Sequence, residues 1–173
     1  MPVMKPVVRT RDFSVTGEAF ELFLDEELQM LVTRPQPENL EAYYQSDAYI
    51  SHTDATKTLS DKIYQGVKTV SLWMKTRLIN KYANGNKSVL DVGAGTGDFL
   101  VAARKSGWSV TGVEPNKHAR QRSQKKKMEL FPDMESLPQK QFQVITLWHV
   151  LEHLPDLENQ IIKLRDQLED AGT

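Results

Sequence analysis

Cysteine is absent from the 173 residues of this chain. Its absence excludes disulfides, thiolate zinc sites and a cysteine nucleophile, and it suits a reducing compartment. Long apolar runs are missing as well. No window approaches the ~20 apolar residues that span a bilayer, and the opening Met1-Pro2-Val3-Met4-Lys5-Pro6 has no apolar core of signal-peptide length. A membrane is therefore not an expected partner, and the default location is the cytoplasm. An excess of one charge is lacking too. Lys+Arg 22 against Asp+Glu 23 gives a formal net charge of -1, which argues against nucleic acid as the main partner. With 39% hydrophobic and 26% charged residues, the composition is that of one ordinary globular domain with some surplus.

Residues 1–56 read as a loosely organised appendage, with a lid over the following domain as one use for it. Phe20, Leu22, Phe23, Leu24, Leu28, Met30, Leu31 and Val32 are too dense for a single period and fit short strands or one short helix. Arg34-Pro35-Gln36-Pro37 is a non-helical stop. From Thr58 to Tyr82 the pattern changes to a helical stripe through Leu59, Ile63, Val67, Val70, Trp73 or Met74, Arg77 and Leu78, with Ser60 or Asp61 as a cap. Asn84-Gly85-Asn86 then marks a turn.

Beyond that turn, strand and helix alternate. Ser88–Val92 predicts a strand, Asp98–Ser106 a helix, Trp108–Val113 a second strand, and the polar, basic segment to Lys126 a second helix. Met128–Phe131 predicts a third, short strand, Phe142–Trp148 a fourth, and Leu157–Leu168 a final helix. This order argues for an α/β fold with a mostly parallel sheet and right-handed crossovers over residues 57–173.

The segment Val89-Leu90-Asp91-Val92-Gly93-Ala94-Gly95-Thr96-Gly97-Asp98 carries most of the information. An apolar strand runs into three glycines at alternate positions and then into a helix whose free N–H groups face the turn. One reading is a tight turn without a ligand. Another is a dinucleotide site, but G-x-G-x-x-G would need its third glycine at Asp98, and Asp91 would repel a pyrophosphate. An acid beside the turn suits a ligand bearing an amino group. Glu114, at the end of the second strand and about 20 residues past the first glycine, can accept hydrogen bonds from both hydroxyls of a ribose. That feature serves either nucleotide reading.

On Asp91 and the G-x-G-x-G run, the chain resembles class I S-adenosylmethionine-dependent methyltransferases with a Rossmann-like sheet. The resemblance implies S-adenosylmethionine as cofactor, with Asp91, Gly93, Ala94, Gly95, Thr96 and Gly97 along its methionine part and Glu114-Pro115 at its ribose. It also implies that Asp133 receives the adenine amine and that Met134 packs on the ring. Trp148-His149-Val150-Leu151-Glu152-His153 is similar to the fourth motif of small-molecule methyltransferases resembling those of ubiquinone biosynthesis, and would face the glycine turn across the cofactor. Trp148 and His149 are then cofactor neighbours, and His149 is the candidate general base. Relatives that hold a divalent metal use Glu-x-x-Glu-His; with His149 in the first position, no metal is expected. As a bare pattern, His149-x-x-Glu152-His153 also matches a zinc-hydrolase motif, but Pro155 and the preceding strand speak for a loop. Capping of the next helix by Glu152 and His153 is the plain alternative.

The implied reaction is methyl transfer to a small-molecule acceptor. An NAD(P)-dependent oxidoreductase, or a fragment that binds the cofactor without turnover, are the alternatives. The basic run from His118 to Lys127 lacks interleaved aromatics and reads as a solvated helix face. Tyr43, Tyr44, Tyr49 and His52 are candidates for covering the cofactor and the acceptor. Asp12-Phe13-Ser14-Val15-Thr16-Gly17-Glu18 is similar to the start of relatives that carry a cysteine-paired zinc knuckle, a site this cysteine-free chain cannot form. In the family order 3-2-1-4-5-7-6, only strands one to four are accounted for, with strands 5–7 missing. The apolar fourth strand is then expected to be an open edge that pairs with another chain.

Overall fold

The computed structural model describes residues 6–13, 15–37 and 59–173. The chain divides into two compact units, Met1–Thr53 and Asp54–Thr173. Tyr43, Tyr44, Tyr49 and His52 lie outside the described residues.

In the first unit, strands β1 (Pro6–Arg11), β2 (Ala19–Asp25) and β3 (Met30–Arg34) form an antiparallel sheet in that order. Aspartates build both turns. Asp12 accepts from the Val15 and Thr16 amides at 3.1 and 2.7 Å, and Asp25 accepts from Glu27 and Leu28 at 3.0 and 2.9 Å. The dense apolar stretch is thus strand, and it stops at Arg34 ahead of Pro35.

The second unit begins with helix α1 (Leu59–Lys81), followed by β4 (Ser88–Val92), α2 (Asp98–Lys105), β5 (Ser109–Val113), α3 (Lys117–Gln124), β6 (Val144–Thr146), a 3-10 turn (Leu151–His153) and α4 (Leu157–Asp166). The sheet is parallel with order β5-β4-β6. β4 lies at its centre, every residue of it is buried, and its side chains alternate between two cores. Val89 joins Ile79, Phe99, Leu100, Ala103 and Trp108, while Leu90 and Val92 join Val113, Phe142 and Leu164. Leu90 is fully buried, so Leu90→Ala would cost about 2–5 kcal/mol. Asp91 shares the face of Val89 in the strand alternation and points to the α1 side.

Several expectations need correction. Met128–Phe131 is not a strand; Phe131 alone makes a parallel bridge, to Val113. The fourth strand is three residues long, with a separate bridge from Phe142 to Leu168. Trp148 and His149 form a turn because His149 adopts φ 58°, which no strand accommodates. Ser60 and Asp61 lie within α1. The helical stripe is real, but it faces outward. Ile63, Val67, Val70, Met74 and Leu78 are 44–64% exposed, whereas Thr76 and Ile79 are buried. Trp108, whose Nε1 donates to Asn80 at 2.8 Å, fixes which side of α1 docks. The outer edge of β6 is also not bare. The Ile145 amide donates to the Thr173 carbonyl and the Thr173 amide to the Gln143 carbonyl, both at 2.8 Å. No helix among the described residues is long and apolar enough to cross a membrane.

Candidate functional site

The site is assembled where β4 and β5 end side by side. Gly93 and Ala94 both donate to the Val113 carbonyl, at 2.8 and 2.9 Å, so the turn after β4 is tied to the end of β5. Gly93 has φ 73° and Gly95 φ 55°, a region that disfavours a side chain. A Cβ on Gly93 would also overlap the Val150 side chain.

Glu114 closes the other side. Its carboxylate accepts from the Gly95 amide at 2.7 Å and from the Asn116 amide at 2.8 Å. Asn116 caps α3 through Ala119 at 3.0 Å, and the Arg120 guanidinium donates to the carbonyls of Glu114 and Pro115, each at 2.6 Å. Glu114 is thus held against the glycine turn from both sides. Its two oxygens together offer about four acceptor positions, so the two amides leave capacity for hydroxyl donors.

Behind the turn, Asp91 is 2% exposed and accepts from the Thr146 hydroxyl at 2.7 Å. Burial pushes its carboxyl up to about 7; the Thr146 bond and the Lys75 ammonium pull it back, and Glu114 adds to the rise. Lys75 comes from α1. Burial lowers its own ammonium, with Asp91 opposing that shift. Its Nζ lies 4.6 Å from the centre of the Trp148 ring, which meets Phe99 edge-on at 5.5 Å. The buried Trp148 Nε1 has no hydrogen-bond partner among the described residues.

At the start of α2, Asp98 takes Lys126 at 2.7 Å and Lys68 at 2.8 Å. Burial would raise its carboxyl, but these two lysines bring it below its usual range. Lys126 also donates to the Thr96 carbonyl at 3.1 Å and hydroxyl at 2.9 Å. The basic run is therefore not simply a solvated face, because Lys126 pins the glycine turn to α2.

The remaining sequence candidates sit differently. Asp133 is exposed and closes its own turn, accepting from the Ser136 amide at 2.8 Å and hydroxyl at 2.5 Å, which lowers its carboxyl. Met134 packs on the second core with Leu137 and Val150. Pro115 is exposed. The His149 side chain is 91% exposed with Nδ1 3.8 Å from Glu152, so burial does nothing to orient it. Glu152 and His153 form the 3-10 turn, and Asp156, not either of them, precedes α4. Val150 against Gly93 is a direct contact between the two segments expected to face each other across a ligand. Val150 is an apolar residue drawn into the second core. Of two open grooves, of about 680 and 700 Å³, the first lies along Leu100, Trp108, Gly112 and Met128, and the second runs along Val67, Val70, Met74 and Leu78 to Lys75 and Trp148 of the site.

Residues 71–173, more than half of the chain, match the family described as Methyltransferase domain. The chain belongs to this family. In structure, the methyltransferase domain is similar to the sugar N-methyltransferase KedS8 from Streptoalloteichus sp ATCC 53650, with TM-score 0.53 and 21% identity over 69% of this chain and 53% of that one. It is similar to the plantazolicin methyltransferase BpumL in complex with SAH, with TM-score 0.58 and 15% identity over 75% and 52%. It is also similar to magnesium protoporphyrin IX methyltransferase from Synechocystis PCC 6803 with bound SAM, with TM-score 0.57 and 15% identity over 73% and 69%. The chain spans about half the length of the first two. At these identities the likeness is one of fold. No curated protein matches the chain.

Proposed function

We propose that this chain binds S-adenosylmethionine and forms the cofactor-binding part of a methyltransferase for a small-molecule acceptor. One observation carries the reading: the Glu114 carboxylate is fixed on the Gly95 amide, at 2.7 Å, in a turn whose glycines take positive φ. The relatives crystallised with SAM or SAH support it, as does Asp91, an acid suited to an ammonium and ill suited to a pyrophosphate. The parallel sheet of order β5-β4-β6, with Phe131 bridged in parallel to Val113, supports a Rossmann-like reading.

When bound, the cofactor supplies an electrophilic methyl group on a sulfonium. The protein's task is alignment of the acceptor with that group. Glu114 would accept the ribose hydroxyls, Asp91 would take the ammonium of the amino-acid end, and Asp133 with Met134 would border the adenine. Trp148, packed on Phe99 and beside Lys75, would line the cofactor side of the pocket. His149, at the rim, takes the acceptor proton where the acceptor has one to lose.

Isothermal titration with S-adenosylhomocysteine beside NAD tests the reading. Binding of S-adenosylhomocysteine alone is expected, and binding of NAD alone would replace the methyltransferase with an oxidoreductase. Glu114→Ala is expected to weaken S-adenosylhomocysteine at least tenfold, since it removes a charged acceptor from a ribose.

A further inference from the structure

Charged side chains from outside the glycine turn hold it at two adjacent residues. On one side the Glu114 carboxylate accepts from the Gly95 amide at 2.7 Å. On the other, the Lys126 ammonium donates to the Thr96 carbonyl at 3.1 Å, to its hydroxyl at 2.9 Å and to Asp98 at 2.7 Å. An ammonium has three protons, and these three acceptors use them all. The Thr96 hydroxyl donates in turn to Asp98 at 3.0 Å, which closes a ring of three side chains at the start of α2. Lys126 is itself anchored. Its amide donates to the Ser123 carbonyl at 2.8 Å, and Arg104 donates to the next carbonyl, that of Lys127, at 2.9 Å. Lys125 and Lys127 are exposed, whereas the Lys126 side chain is turned inward and only 25% exposed. Most other amides of the turn are used within the protein: Gly93 and Ala94 donate to Val113, and Gly97 donates to Ala94 at 2.9 Å. The Thr96 amide has no acceptor among the described residues, and its peptide lies between the two anchored points.

We propose that Lys126 is a positioning residue for the cofactor site: from the loop after α3, and with Glu114 opposite, it holds the Gly95–Thr96 peptide in the form that receives the ligand. A turn with glycines at three alternate positions has backbone freedom that binding would otherwise have to remove. Holding the turn beforehand keeps that cost out of the binding step. The inference rests on the S-adenosylmethionine reading and adds to it a residue 30 positions from the turn, acting through the backbone and not on the ligand.

The test compares Lys126→Met with Lys125→Met, which removes the same charge from an exposed position. Isothermal titration reads the affinity for S-adenosylhomocysteine and for adenosine, which lacks the amino-acid end. Amide proton–nitrogen NMR spectra of the ligand-free protein read the turn itself. Lys126→Met is expected to weaken S-adenosylhomocysteine about tenfold and to leave adenosine level. It should also displace the Gly95, Thr96 and Gly97 amide signals before any ligand is added. Lys125→Met should change neither affinity nor those signals. Equal S-adenosylhomocysteine affinities in the two variants would overturn the proposal. A weakened affinity with the free turn's signals unmoved would overturn it too, because the ammonium would then be meeting the ligand directly. So would an equal loss for both ligands, the mark of a general loosening. If Lys126→Met does not fold, Lys126→Gln, which keeps a shorter neutral donor, is put to the same comparison and decided by the same outcomes. Failure of the unaltered protein to bind S-adenosylhomocysteine would remove the cofactor reading itself. That result is distinct, since the displaced signals are read without ligand.

Discussion

Asp91 shows how one side chain can be unfavourable for the fold and useful for the site. Burial raises its carboxyl to about 7 against an ordinary 3.8. A folded-state value above the unfolded one means that the native protein binds the proton more tightly. Stability is then greatest below the unfolded value and is lost as pH rises through the folded one, the reverse of the usual aspartate. Asp91→Asn keeps an oxygen acceptor for the Thr146 hydroxyl and removes the buried charge. It is expected to stabilise the free protein above pH 7 by up to about 4 kcal/mol, with the gain vanishing near pH 4, while abolishing S-adenosylhomocysteine binding. Thermal melts at the two pH values check the first part and titration the second; a variant less stable than the parent at high pH would contradict the account. Asp91 and Glu114 were legible in the sequence because each is placed by local spacing from Gly93. Lys75 and Thr146 were not. Thr146 is 55 residues from Asp91, and Lys75 is one charged residue at the flank of the apolar stripe of α1, which no local spacing ties to the glycine turn.

At the scale of elements, the β4–α2 turn and the connection after β6 act as one packed unit. Gly93 is the point of contact: its φ is 73°, and the space a Cβ would need is taken by Val150. Gly93→Ala should destabilise by about 1–3 kcal/mol, from backbone conformation and overlap together. Adding Val150→Ala removes the overlap but not the conformational part. A double-mutant cycle by chemical denaturation should therefore show Val150→Ala to be less harmful in the Gly93→Ala background than alone, with a coupling of roughly 0.5 kcal/mol or more. Strict additivity would mean that the two segments do not touch in solution. Helix α1 and the alternation of strand and helix were readable, since periodicity and turn residues set them locally. The length of the fourth strand was not. Leu147 and Trp148 continue its apolar pattern, yet Trp148 leaves the sheet to meet Phe99 at 5.5 Å, and His149 breaks the extended backbone. Apolarity alone does not distinguish a residue that pairs from one that packs.

For the whole molecule, the question is which surface is left without a partner. The fourth strand was the expected answer, but its edge already carries the hydrogen bonds of residues 167–173: Phe142 donates to Gln167 at 2.8 Å, and Ile145 to Thr173 at 2.8 Å. Among the described residues, an apolar surface without a partner lies on α1 instead. Ile63, Val67, Val70 and Met74 succeed one another at four- and three-residue steps, the spacing of a helix–helix seam, and all are more than half exposed. An apolar stripe of this length is unusual on a soluble monomer, so the chain should self-associate as its concentration rises. The paired change Val70→Glu with Met74→Glu is expected to abolish that association. Neither residue is buried and glutamate is at least as good a helix former as valine, so circular dichroism should stay the same. Light scattering across a concentration series reads the result directly. A parent chain that remains monomeric throughout would mean that the stripe is satisfied within the molecule, and a variant that still associates would move the contact to another face.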